Sequence, residues 1–229
     1  MQYKNEFKLA FKTSIPVMMG YGVLGFAFGL LVVSLDYSWY IALLMSVFIY
    51  AGALQFLAMG FFSAKVGLID IFITSIFVNI RQSFYGLSVL QKFKDTQKFE
   101  WYLIFGLTDE TYALLTSIKE DENINKKYYY FYLTILNQSY WITGTLFGAL
   151  FGSMVTFNTK GLEFSLTALF VVLAIEQYKN NKNITPFIIG ASTSILAFIF
   201  VPLNNMLIFA IVCSLIAMFI FKRKLQYDK

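Results

Sequence analysis

Long apolar runs separated by short polar clusters divide the chain into eight segments, at approximately 13–34, 39–61, 67–90, 101–118, 128–155, 164–177, 184–201 and 205–221. The runs are continuous and rich in Leu, Ile and Phe. They lack the ten-residue alternation of transmembrane strands, so helices are the predicted elements. Most approach the roughly 20 residues that carry a helix across a bilayer core, although 164–177 is short for a crossing. The fourth segment holds Thr108, Asp109 and Glu110 in its middle. Thr108 can cap a new half-helix there, with both acids in its first turn, where the helix dipole favours negative charge. A break is therefore predicted in 101–118, and discontinuous helices at mid-membrane are a mark of transporters.

Composition points the same way. Of 229 residues, 58% are hydrophobic and 14% charged, against roughly 45–50% and about 25% in a soluble domain. The expected architecture is an all-α polytopic membrane bundle of seven or eight segments, forming one transporter domain over 1–229. Broken or re-entrant helices and an internal repeat are open features of it. The repeat is suggested by Gly25-Phe26-Ala27-Phe28-Gly29 against Gly148-Ala149-Leu150-Phe151-Gly152, and by Gln55-Phe56 against Gln177-Tyr178. Small residues at such spacings also arise wherever helices pack closely.

Charge sets an expected orientation. With the N-terminus in the cytoplasm, 13 of the 18 basic residues fall on that side, while Lys92, Lys94, Lys98 and Lys160 fall opposite and Arg81 stays inside a segment. The positive-inside rule then places both termini in the cytoplasm. The 91–100 loop is the misfit, and it hints that one of the first four segments re-enters instead of crossing. The first segment is too long for a signal-peptide core and lacks a cleavage pattern, so it is expected to be retained. Pro16, Pro186 and Pro202 are placed near segment ends.

Several chemistries are excluded. The chain has no histidine and one cysteine, Cys213, in an apolar stretch, which removes imidazole catalysis, the usual zinc sites and any internal disulfide. No G-x-x-x-x-G-K-[ST] loop is present, so no nucleotide is implied, and no cofactor or metal is expected. An intramembrane enzyme has no G-x-S-x-G and no paired aspartates to work with.

A charge at the bilayer centre costs about 2.5–3.5 kcal/mol on insertion scales, so each one requires a partner or a task. Arg81, Asp109, Glu110 and Glu176 are the charged residues in question. Ser75, Asn79, Gln82 and Gly86 share one face of a helix over 67–90, with Arg81, Tyr85 and Ser88 on an adjacent stripe. Arg81 offers a fork of donors suited to a carboxylate, and Asn79 and Gln82 both donate and accept. Equally, Arg81 can pair with Asp109 or Glu110, and the amides can bond neighbouring helices. Ala51-Gly52-Ala53 precedes Gln55, where local unwinding would expose amides and carbonyls to a zwitterion; close packing with Gln55 as a staple is the competing reading. Glu176-Gln177 reads as an interfacial pair, and Tyr128 to Tyr132 as an interfacial belt.

Three strings, Ala51-Gly52-Ala53-x-Gln55-Phe56, Asn79-x-Arg81-x-x-x-Tyr85-Gly86-Leu87 and Gly106-Leu107-Thr108-Asp109-Glu110-Thr111-Tyr112-Ala113-Leu114-Leu115, in this order and spacing resemble the AzlC family. That family comprises large subunits of branched-chain amino acid transporters, including BrnF-type exporters. The likeness is dense over 9–155 and looser to about 220. The resemblance implies about seven spans in a bacterial cytoplasmic membrane and export of leucine, isoleucine, valine or analogues, coupled to the proton motive force. It also implies a small hydrophobic AzlD-type partner subunit. The family commonly carries a histidine after the motif arginine, where this chain has Gln82. Together these readings make Gly52, Gln55, Asn79, Arg81, Gln82, Tyr85 and Thr108 the expected substrate-binding residues. Asp109 and Glu110 are the candidates for proton coupling, since removal from water favours the neutral form of a carboxyl group. The rivals are a passive pore and a non-transporting structural subunit.

Overall fold

The computed structural model describes residues 4–64, 66–94, 96–117, 124–154 and 184–220, with residues 171, 174, 175 and 178. Among them every regular element is helical. The expected sixth segment, with Glu176 and Gln177, lies largely outside the described residues. The chain divides into two units, residues 1–63 with 79–165 and residues 64–78 with 166–229.

In the first unit, helices α1 (Lys4–Ser34) and α7 (Lys126–Met154) have 31 and 29 residues, about 46 and 44 Å at 1.5 Å per residue. Both exceed the ~30 Å hydrocarbon core of a bilayer. They run parallel. The Asn125 N–H donates to Glu6 Oε1 at 3.3 Å near their starts, Ser14 Oγ lies 3.0 Å from Tyr140 Oη, and Phe26 packs on Phe151 further along. Glycine permits the approach. A Cβ on Gly25 would stand 2.9 Å from the Trp141 carbonyl oxygen, and one on Gly144 2.9 Å from those of Tyr21 and Gly22. On Gly29 or Gly148 it would land on the backbone of Thr145 or Phe26. The two glycine strings that echo each other in sequence are thus opposing faces of one helix pair. Lipid provides no hydrophobic drive between helices, so backbone contact of this kind supplies the attraction by dispersion. Pro16 lies inside α1 and not near a segment end, because polar Lys4–Lys12 continue the helix ahead of the apolar run.

Two segments are hairpins of half-helices: 39–61, which reads as a crossing, and 101–118, where a break is predicted. The segment 39–61 is broken into α2 (Trp39–Phe48) and α3 (Gly52–Ala64), and 101–118 into α5 (Glu100–Phe105) and α6 (Asp109–Ser117). At 10, 13, 6 and 9 residues, these are about 15, 20, 9 and 14 Å long, each too short to span. The first hairpin returns to its starting end, since Phe62 near the end of α3 packs on Tyr37 just before α2, with ring centroids 5.7 Å apart.

The second hairpin opens at the other end. It leaves helix α4 (Leu68–Lys94) through a short 3₁₀ turn, Gln97–Phe99. Phe99 stacks on Phe131 near the start of α7, and the end of α6 comes back beside the end of α4, where Lys92 Nζ donates to the Leu115 carbonyl at 3.0 Å. A core of Val89, Phe93, Leu103, Leu107, Leu115 and Leu133 holds it there.

The basic residues follow the hairpins. Lys92 lines a cavity of about 620 Å³ with Lys126 and Lys127, so the 91–100 loop shares an end with the start of α7. The expected separation of the lysines of the 91–100 loop from Lys126 and Lys127 is corrected, because 100–117 returns to the end from which it started. With Cys213 replaced by serine, a cysteine at Lys98 and one at Lys126 are expected to react with an impermeant thiol reagent from one side of the membrane, and one at Tyr37 from the other. Reaction of positions 98 and 126 from opposite sides would contradict the re-entrant fold.

Among the described helices, Lys4–Ser34 alone is both long and apolar enough to cross a bilayer by composition. α4, 27 residues long, and α7 have the length, but each carries polar residues toward the hairpins. In the second unit, α8 (Thr185–Phe200) packs against α9 (Leu203–Ile220). Pro186 opens α8, and Pro202 lies at the turn between the two helices.

Candidate functional site between two hairpin tips

The two tips meet at mid-length of α1 and α7. Tip one is Ile49-Tyr50-Ala51. The N–H groups of Ile49 and Tyr50 both donate to the Met45 carbonyl, at 2.9 and 3.2 Å, closing α2. Tyr50 then takes φ +44°, a left-handed conformation that costs a bulky L-residue about 1–2 kcal/mol. It turns the chain into α3, whose first residue, Gly52, faces the Trp141 indole; a Cβ there would lie 3.1 Å from the ring. The small residues before Gln55 do accompany a break, as one of the two sequence readings required.

Tip two is Gly106-Leu107-Thr108. A Cβ on Gly106 would collide with the Thr134 methyl, so glycine lets the tip press on α7. Thr108 Oγ1 accepts the Thr111 N–H at 3.2 Å, which is the predicted N-cap. Asp109 and Glu110 occupy the first turn of α6, and successive residues on a helix point about 100° apart. They therefore serve different partners.

Asp109 faces α4. Its Oδ2 lies 2.7 Å from Arg81 Nη2, with the two side chains 37% (Arg81) and 27% (Asp109) exposed, neither sealed in nor open to bulk solvent. The pairing reading of Arg81 thus holds, with Asp109 as partner. Spare valence remains on both: Arg81 Nε and Asp109 Oδ1 are buried without a hydrogen bond among the described residues. Tyr85 lies beside the pair and stacks on Tyr112 at 4.3 Å and 13°. Asn79 and Gln82 flank Arg81, half-buried, and neither joins the hydrogen bonds at the tips among the described residues.

Glu110 faces α1. Tyr21 Oη is 2.7 Å from Glu110 Oε2 and 2.7 Å from Thr108 Oγ1. Thr108 donates on to Thr111 Oγ1, which also accepts from Asn137 Nδ2 at 3.0 Å, leaving Asn137 Oδ1 buried and unsatisfied among the described residues. Helix α7 holds the other tip as well. Gln138 Oε1 accepts from Tyr102 Oη at 2.6 Å while its Nε2 donates to the Val47 carbonyl at 3.2 Å.

Gln55 is fully buried. It accepts from Trp141 Nε1 at 3.0 Å and lies 3.4 Å from Ser46 Oγ, which donates to Thr145. That is the staple geometry. Tyr21, Tyr50, Asn137, Gln138 and Trp141 were not expected in the site. Asn137-Gln138 in the middle of an apolar segment was a usable signal, whereas nothing in sequence sets Tyr21 apart from other membrane tyrosines.

The arrangement puts the N-termini of α3 and α6 at one level, with their first N–H groups outside any intrahelical bond, beside carboxylates, a guanidinium and phenols. Such a set suits both ends of a zwitterion.

Comparison with known proteins identifies the relatives of the chain. The profile of a family described as AzlC protein matches residues 16–155. An uncharacterized membrane protein of Helicobacter pylori is 40% identical over 98% of this chain and 99% of its own length. The Bacillus subtilis branched-chain amino acid transport protein AzlC is 34% identical over 96% of this chain and 87% of its own. The inner membrane protein YgaZ of Escherichia coli is 29% identical over 82% and 80%. No solved structure matches the chain.

Proposed function

The chain belongs to the AzlC family, and from that premise we propose that it is a secondary transporter exporting branched-chain amino acids across a bacterial cytoplasmic membrane. Export is driven by the proton motive force and requires a small hydrophobic AzlD-type subunit. The chain crosses the membrane several times, with both termini in the cytoplasm, which now also places the lysines of the 91–100 loop on the positive side.

The observation that carries the reading is the Arg81–Asp109 pair, with one unused donor and one unused acceptor buried beside it. A zwitterion supplies the missing partners: its carboxylate can bond Arg81 and its ammonium Asp109, competing with the ion pair instead of leaving either charge alone. Thr108, Gly52 and the amides of the half-helix starts extend the polar end of the site, with Tyr85, Asn79, Gln82 and Gln55 around it. Glu110 and Asp109 are the proton carriers, because Gln82 stands where relatives commonly have histidine and cannot titrate.

The test is counterflow of labelled leucine in proteoliposomes, with and without the small subunit. Counterflow is expected with the subunit, and net export should collapse when the proton gradient is dissipated. Net flux indifferent to that gradient would make the protein a passive pore. No counterflow even with the subunit would end the transporter reading.

A further inference from the structure

Tyr50 combines three features found together at no other described residue. It is a bulky residue in the left-handed region at the very tip of a hairpin, its side chain is 3% exposed, and its hydroxyl is buried with no hydrogen bond among the described residues. The ring reaches the second hairpin. It lies 6.3 Å from the Phe105 ring and borders Tyr21, Tyr102, Thr108 and Glu110. The neighbouring tyrosines Tyr21 and Tyr102 are both hydrogen-bonded, whereas the Tyr50 hydroxyl, which faces Tyr21 and Thr108, meets neither in hydrogen-bonding geometry.

An unsatisfied hydroxyl on a strained backbone is the pattern of a group held in a place that something else takes in another state. The ring stands where both half-helix starts converge, and Asn137 Oδ1, on the other side of the Thr108–Thr111 hydrogen bonds, is a further buried and unsatisfied polar atom of the site among the described residues. Its neighbours combine the rings of Phe105, Tyr21 and Tyr102 with the polar groups of Glu110 and Thr108. Both kinds of contact are what an amino acid with an aliphatic side chain would need.

We propose that Tyr50 is the plug of the substrate site: its ring closes the passage between the two hairpin tips, and withdrawal of the ring opens a space that receives the aliphatic side chain of a neutral amino acid. A phenol occupies somewhat more room than a leucyl or valyl side chain, so the vacated space fits that class. Relaxing the left-handed residue swings the ring out by a change at one backbone position, without refolding either half-helix. The inference rests on the transporter reading only for what displaces the ring. Closure of the passage stands apart from it.

The test uses full-length protein with Cys213 replaced by serine and a reporter cysteine at Thr108, which is 7% exposed. Modification by a charged methanethiosulfonate reagent from water is followed in proteoliposomes. Tyr50→Ala is expected to raise the modification rate at least tenfold. Tyr50→Phe should leave it at the parental rate, because the ring and not the hydroxyl closes the path. Adding 4-methylphenol, which refills the hole, should slow the reagent again in Tyr50→Ala alone.

Equal rates in Tyr50→Ala and the parent, or a Tyr50→Phe rate as high as that of Tyr50→Ala, would overturn the plug. Should Tyr50→Ala fail to fold, Tyr50→Gly, which removes the ring and suits the left-handed backbone, serves as the truncation and is read the same way. Absence of leucine counterflow in the unmodified protein would remove the transporter reading while leaving this labelling result intact. Intact counterflow with unchanged labelling would remove the plug alone.

Discussion

Replacing Arg81 by alanine is expected to lower leucine flux by at least 100-fold while the protein remains folded in the membrane. The side chain is about one-third exposed, so the fold loses less than the 3–5 kcal/mol typical of breaking a sealed ion pair; on the order of 1–3 kcal/mol is the reasonable range. Transport loses more, because the carboxylate end of the substrate then meets a lone Asp109. A structural role would also reduce flux through misplacement of α6, and the double variant Arg81→Gln with Asp109→Asn separates the two. It keeps similar shapes and removes both charges together, so thermal stability should recover to near the parental value. If Arg81 binds substrate, flux stays at background in the double variant. Recovery of flux with recovery of stability would show that the pair only braces the second hairpin against α4.

The second large effect falls on the fold. Gly148→Ala should abolish recovery of a monodisperse protein from the membrane, since its methyl group would coincide with the Phe26 backbone and force α1 and α7 apart. Separation of that pair loosens both hairpins, because Tyr21 and Gln138 hold the tips from its two members. Gly20→Ala is the control. It lies on α1, the partner helix, meets nothing within 4 Å, and exchanges a flexible residue for the best helix former, which on intrinsic preference favours the helix by about 1 kcal/mol. Size-exclusion profiles and thermal unfolding in detergent should show Gly148→Ala lost and Gly20→Ala at least as stable as the parent. Equal behaviour of the two would mean that the α1–α7 contact is not the axis of the unit.

Much of the site is legible in the order of residues alone. A capping threonine followed by two acids in an apolar run contradicts a continuous membrane helix, so the break at Gly106-Leu107-Thr108 is marked by local chemistry. Ala51-Gly52-Ala53 marks the other break less sharply, because small residues serve packing and unwinding alike, and at Gly52 they serve both. Sequence narrows the partner of Arg81 to two neighbouring acids. Which one it is depends on helix phase: the 100° step between Asp109 and Glu110 sends one to α4 and the other to Tyr21.

The chain's own pattern determined that it is helical, that it resides in lipid, that it places charged residues within apolar segments, and that one segment breaks around Thr108. These follow from local quantities: hydrophobicity summed over a window, capping chemistry, and the energetic demand that a buried charge have a partner. Tertiary structure decided that 39–64 and 100–117 turn back instead of crossing, that their tips meet, and that Tyr50 stands between them. Hydropathy counts apolar residues without regard to the direction the chain travels, so two half-helices that return have the same composition as one helix that crosses. Direction is set by contacts between residues far apart in the chain, such as Phe62 on Tyr37 and Lys92 on Leu115.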